Sequence, residues 1–365
     1  MEWNPQMRWK PDLIPALKRL EAFWQREIID RPCISVRAPK IKGLNISPFR
    51  NDIDYHGDKE ALKRYWTDPE TIRQDREYKF SNTFFGGEAL PALFQNYGPS
   101  GHCRYYGATP GFGQDTIWFS PIMDEVDPEQ LTFHQEYVDR QLDIGRYLLQ
   151  HAGDKYFVAM PDNCGAIDAL NHLCGAQNLL MSMMEDPDAV LEAIHIINQG
   201  WKKAGDQFYA LSRENCNGSI HAWMDLWAPG QLLQMQCDTS VMLSPEMFKT
   251  FAMPELEEQI SAQDYAVYHF DGIEQRRHLD CLLSLKGLRA IQWSHVAGQP
   301  SPSHFIDTFR QMQAAGKGII VMAQPEDVPV LLDQLSAKGL YIHCETENEE
   351  QAQAILDYAQ THFHE

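Results

Sequence analysis

Residues 265–299 read YAVYHFDGIEQRRHLDCLLSLKGLRAIQWSHVAGQ. Ala266–Phe270 is a short apolar run. Glu274–Ser284 has Leu279, Leu282 and Leu283 at helical spacing, Gly287 ends the helix, and Leu288–Trp293 is a second apolar run. Strand, crossover helix and strand make a parallel βαβ unit. Both runs end in polar chemistry: His269 and Asp271 after the first, Gln292, Ser294 and His295 around the end of the second. Parallel α/β folds bind ligands at the carboxyl ends of their strands, so the functional site is expected there.

Outward from this unit the pattern repeats. Strands are expected at Cys33–Ala38, Tyr156–Met160, Gly218–Trp223, Gly318–Met322 and Leu340–His343, each followed by a helical segment. An eighth is expected near Thr116–Phe119. Helices are expected over Leu13–Ile29, Pro128–Gln150, Ala166–Met184, Pro187–Leu211 and Pro245–Gln263, with one more exposed helix in YWTDPETIRQDREYKF. Residues 84–121 are rich in Gly, Pro and aromatics and poor in charge, which suits a long ordered loop region. The βα count points to a (β/α)8 barrel, a single domain over residues 1–365, with an N-terminal extension and the loop region over the barrel mouth. No GxGxxG or GxxxxGK[ST] motif supports an open nucleotide-binding sheet.

The 365 residues carry 31 Lys+Arg against 51 Asp+Glu, a net charge of −20. That balance argues against nucleic acid and anionic membranes as partners. It also disfavours a highly anionic substrate unless arginines gather locally. Eight cysteines without a CxxC pair, no apolar leader and no run long enough to span a bilayer suit a cytoplasmic protein with reduced thiols.

On the barrel reading one mouth gathers Asp162, Asn163, His221, Trp223, Asp238, His269, Asp271, Trp293, His295, Cys344 and Glu345. His269 and Asp271 stand two apart and point to one face. Imidazole, carboxylate and thiol from separate strand ends would suit a Zn²⁺ site with an open position, although no close ligand pair is present. The same groups could instead act as general acid and base without metal.

The segments RPCISVRAP, YWTDPE, GEALP, NYGP, CDTSVMLSPEMFKTFAMPELEEQI, YHFDG, HLDCLL, AIQW, AGQP, AAGKG and CETENEEQAQAIL occur in order along nearly the whole chain. Together they resemble the uroporphyrinogen decarboxylase superfamily, most of all its branch near the corrinoid-linked methyltransferases. The resemblance implies a (β/α)8 barrel with its site in the mouth. The arginine-rich N-terminal signature of the true decarboxylases is missing from WKPDLIPALKRLEAFWQRE, residues 9–27. The other activity is zinc-dependent methyl transfer with a corrinoid protein, where a His-x-Cys and a later Cys bind the metal. His269 matches the His, Asp271 stands in place of the first Cys, and Cys344 falls at the second. The expected function is thus methyltransferase-like, with His269, Asp271 and Cys344 as metal ligands. Asp238 and His221 would orient or protonate a small substrate; Glu88, Asn96, Tyr97, Trp223 and Trp293 would line the pocket. A corrinoid protein partner and a homodimer are further expectations of the resemblance. The alternatives are a metal-free decarboxylase or lyase acting on a small carboxylic acid, or a corrinoid- or tetrapyrrole-binding protein without chemistry of its own.

Overall fold

A computed structural model describes residues 5–41, 47, 53, 57–94 and 96–364. Part of the irregular polar stretch after Ala38 lies outside these residues. The strands are β1 Cys33–Pro39, β2 Thr83–Gly87, β3 Ala92–Leu93, β4 Pro110–Phe112, β5 Ile117–Phe119, β6 Phe157–Val158, β7 Ser219–His221, β8 Leu226–Ala228, β9 Gln234–Gln236, β10 Ala266–Asp271, β11 Leu288–Ser294, β12 Gly318–Ala323 and β13 Leu340–Glu345. The helices are α1 Leu13–Gln25, α2 Lys59–Thr67, α3 Pro69–Ser81, α4 Gln135–Ala152, α5 Ala166–Cys174, α6 Ala176–Glu185, α7 Pro187–Cys216, α8 Met253–Ser261, α9 Leu279–Ser284, α10 Ile306–Ala314, α11 Val328–Gln334 and α12 Glu349–Thr361.

Seven strands form one sheet in the order β2-β1-β13-β12-β11-β10-β9. All neighbours run parallel except β2, which is antiparallel to β1. Among the described residues the hydrogen-bonded order runs from β2 to β9. β3 and β6 pair separately, and the Met160 amide donates to the Ile220 carbonyl just beyond, towards β7. The strand expected near Thr116–Phe119 exists, but it pairs antiparallel with β4 in an outlying hairpin. β9, too short for an apolar period, gave no sequence signal.

The register sorts every side chain to one of two faces. One face carries Ile34, Val36, Tyr268, Phe270, Ile291, Trp293, Ile319, Val321, Ile342 and Cys344, and packs in a single apolar cluster with the helices. The other face changes character along the strands. Its first half is apolar: Cys33, Val267, Ala290, Ile320 and Tyr341. Phe23 and Trp24 of α1 seal that end, and the Trp24 indole N–H donates to the Trp227 carbonyl. Burying each such aromatic is worth about 1.5–3 kcal/mol. Its second half, toward the carboxyl ends, is polar: Ser35, Arg37, His269, Asp271, Gln292, Ser294 and His343.

Local sequence sets several boundaries. The single helix expected in YWTDPETIRQDREYKF is two, because Asp68 caps a new start with Pro69 at its first position. It is also less exposed than expected, since Tyr65 and Trp66 are buried. The helix expected over Ala166–Met184 breaks at Gly175, whose φ is +86°. The long helix α7 runs to Cys216 and stops at Asn217 in the left-handed region. Between Pro245 and Ser261 the helix passes through a π-helical segment, Phe248–Ala252.

Candidate functional site

At the carboxyl end of β10, His269 and Asp271 emerge on the polar face, and Gly272 turns the chain away at φ +91°. A side chain at Gly272 would be strained there and would press on Gln299 and Glu274. Asp238 follows β9, in a short 3-10 turn. Its backbone is fixed from below by Asp168 of α5. That carboxylate accepts from the Asp238 amide at 2.8 Å, the Thr239 amide at 2.8 Å and the Thr239 hydroxyl at 2.7 Å. Asp238, His269 and Asp271 each offer one ligand atom, and these atoms all lie within 4.8 Å of one another.

Two hydrogen-bonded rows orient the cluster. Gln234 donates to Gln236, whose amide donates to Asp238 Oδ2 at 3.0 Å. Gln292 Oε1 is bound to His269 Nδ1, and its amide donates to Ser294 Oγ at 3.1 Å. With the Gln292 oxygen accepting, the proton of a neutral His269 sits on Nδ1 and the lone pair on Nε2.

The electrostatics are acidic. Burial first, then the charges of Asp168, Asp271 and Asp162, push the Asp238 carboxyl up to about 8. On the far side, the Trp223 indole N–H donates to Asp162 Oδ2 at 3.1 Å. His221 Nε2 stands 3.6 Å from Asp162 Oδ1, beyond hydrogen-bond reach. The three rings form a row, with His221 and Trp223 centroids 5.0 Å apart and Trp223 and His269 5.3 Å apart, both edge to face. Both ring nitrogens of His221, Asp162 Oδ1, Gln234 Oε1 and Asp238 Oδ1 are buried without a protein hydrogen-bond partner. So many unpartnered polar atoms at one place mark a surface shaped for a ligand, a cation or ordered water.

The structure therefore brings together Asp238, His269 and Asp271, with His221 and Trp223 beside them. It does not place Cys344 with them. In β13 the residue facing the site side is His343, paired in register with Ser35; Cys344, one residue on, points into the apolar layer under the helices. There burial pushes its thiol up to about 12, the opposite of what a thiolate ligand needs. Trp293 likewise faces away, stacked on Phe270 at 5.0 Å and packed against Phe305 and Phe309.

Glu88, expected to line the pocket, is fully buried in an ion-pair cluster. It is held by Arg31 at 2.7 and 3.0 Å, Arg19 at 3.3 Å and the Ile34 amide at 2.6 Å. Gly87 before it sits at φ +60°, so close that a Cβ would lie 1.9 Å from the Ile34 carbonyl oxygen. Asn96 caps its own turn, accepting from the Gly98 amide at 2.7 Å. Tyr97 lines a separate cavity among α2, α4 and the loop region. Asp168, Gln234 and Gln236 carried no sequence signal, since a helix-start Asp and two strand glutamines are ordinary in any chain.

Asp225 is a second buried carboxylate, in the β7–β8 turn at φ +50°. It accepts from Ser35 Oγ at 2.5 Å, the Leu90 amide at 3.1 Å and the Arg37 guanidinium, and stands 3.3 Å from His343 Nδ1. Burial opposes its charge, but Arg37 and His343 together hold its carboxyl down at about 2. It ties the turn to β1 and β13, and it occupies Arg37, the guanidinium on the polar face.

No family model matches the chain, and no curated protein matches its sequence. Among solved structures, a methyltransferase from Methanosarcina mazei is similar in fold. Its TM-score is 0.64 at 11% sequence identity, over 94% of this chain and 98% of that one. No helix among the described residues is long and apolar enough to cross a membrane.

Proposed function

We propose that this chain is a methyltransferase-like (β/α)8 enzyme of the uroporphyrinogen decarboxylase superfamily. Its site is the cluster of Asp238, His269 and Asp271. The observation that carries the reading is the convergence of these three ligand atoms within 4.8 Å, with the imidazole already oriented by Gln292. The fold likeness to a methyltransferase supports the same direction.

One imidazole and two carboxylates form a donor set for a divalent cation with an open coordination position. Asp238 takes the place that the resemblance gave to Cys344. Zinc is the cation of this reading; when bound it supplies Lewis acidity and lowers the pKa of a thiol or water ligand. A methylated corrinoid on a separate protein, docked at the strand ends, is the proposed methyl donor.

The chain's own groups do the rest. Trp223, tied to Asp162, walls the site opposite the carboxylates and excludes water from the His269 ring. His221 stands ready for a proton from the substrate, its nitrogens free of protein hydrogen bonds and Asp162 3.6 Å from Nε2. The surplus of carboxylates selects a small neutral or cationic substrate. This disfavours the decarboxylase alternative, because an acid substrate would meet the carboxylates of Asp162 and Asp271 with Arg37 already taken by Asp225.

Elemental analysis and calorimetric titration with Zn²⁺ test the reading. About one equivalent is expected to bind, to be lost in His269→Ala and Asp271→Ala, and to survive in Cys344→Ala. Activity that persists through chelation, with no zinc bound, would instead establish the metal-free acid–base alternative.

A further inference from the structure

A cavity of about 520 Å³ opens between α2, α4 and the loop region, lined among others by Lys63, Tyr97, Arg104, Phe112, Tyr137 and Arg140. That volume is ample for a small ligand. Its charge is the reverse of the chain's. Among the described residues lining it there are two arginines and a lysine but no carboxylate, in a chain of net charge −20.

Arg104 is half-buried, and Lys63 and Arg140 are exposed beside it. The Arg104 guanidinium lies 4.2 Å from the Tyr137 ring centroid and that of Arg140 lies 5.6 Å from it. One phenol ring thus fixes both groups. Among the described residues neither is paired with a carboxylate, and Arg104 donates to the Ala108 carbonyl at 3.2 Å. Arg19, Arg31 and Arg73 are instead matched to acids. Tyr97 and Phe112 complete an aromatic wall beside the charges.

We propose that this cavity binds a small molecule carrying a doubly charged oxyanion on an aromatic or apolar body, either a phosphate monoester or a dicarboxylate. Paired guanidiniums match such oxyanions bidentately, the lysine adds charge, and the rings take the body. The site is separate from the acidic cluster, which repels anions: none of its lining residues belongs to that cluster.

Calorimetric titration of the whole chain with inorganic phosphate, phenyl phosphate and phthalate tests this. One saturable site is expected, with phenyl phosphate or phthalate binding more tightly than inorganic phosphate; which of the two prevails tells ester from dicarboxylate. Lys63→Gln/Arg140→Gln changes two exposed side chains and is expected to keep the fold, verified by an unchanged melting temperature. It should weaken binding by about tenfold or more, as should raised salt. Arg104→Gln should act in the same direction, while Asp271→Asn should leave binding intact. No saturable binding of any of the three anions, or binding unchanged in the Lys63/Arg140 variant, overturns the proposal.

Discussion

The side-chain oxygen of Gln292 on β11 is hydrogen-bonded to Nδ1 of His269 on β10, at the position directly across the parallel ladder. That bond orients the imidazole beside the acidic cluster. Gln292→Leu keeps the size of the side chain and removes the acceptor. Zinc affinity is expected to fall by about 10–100-fold, as for other outer-shell partners of metal-ligating histidines. Cation titration of the variant beside the wild-type chain measures it; equal affinity would leave Gln292 without an orienting role.

Cys344→Ala should leave metal content and turnover as they are. It should lower stability by about 1 kcal/mol, since it takes a buried sulfur out of the layer beneath the helices. Urea unfolding reads the stability and elemental analysis the metal. Loss of bound cation in this variant would return the thiol to the ligand set.

Glu88→Ala should be costly without touching the site. Arg31 leans on this fully buried carboxylate, and its removal strands that buried charge, while Arg19 keeps Asp30. A loss of about 3–5 kcal/mol is expected. Denaturant midpoints give the number, and zinc binding measured below the transition should be unchanged.

Glu255 sets a pH dependence. It is fully buried, accepts from the Ala166 and Ile167 amides at 2.6 and 3.2 Å, and so holds the start of α5 beneath Asp168. Burial, then the charge of Asp168, pushes its carboxyl up to about 8. Between the ordinary carboxylate range and about 8 the folded state therefore holds more protons than the unfolded chain. Stability is expected to fall as pH rises through that window. Glu255→Gln should flatten the slope; denaturation curves at several pH values show whether it does.

Asp225 acts with the opposite sign. Its folded carboxyl is held at about 2, below the ordinary value, by Arg37 and His343. Its contribution is present at neutral pH and lost as acid takes the carboxyl through that value. Asp225→Asn should therefore lose stability at neutral pH and show a shallower acid limb in melting temperature.

Much of this was legible in the chain. Apolar runs at 266–270, 288–293, 318–322 and 340–343, with amphipathic segments between them, specify parallel βα units because each strand must be covered on its outer face. The two-residue spacing of His269 and Asp271 places both on one face wherever the strand lies. Glu88, expected to line the pocket, is instead a buried anchor, because Arg31 and Arg19, 57 and 69 residues away in the chain, hold it.

By itself, then, the sequence determined the order of the elements and the presence of ionisable groups at the strand ends. Only the tertiary structure decided which of those groups meet. LYIHCE is apolar enough to lie on β13 in either sense, and a shift of one residue exchanges His343 for Cys344 at the site. The pairing Ser35 with His343 makes that choice. Asp238 joins His269 and Asp271 for a similar reason: Asp168, seventy residues earlier, grips its turn from another element. Such contacts are set by register and packing between distant segments, and no periodicity within one segment encodes them.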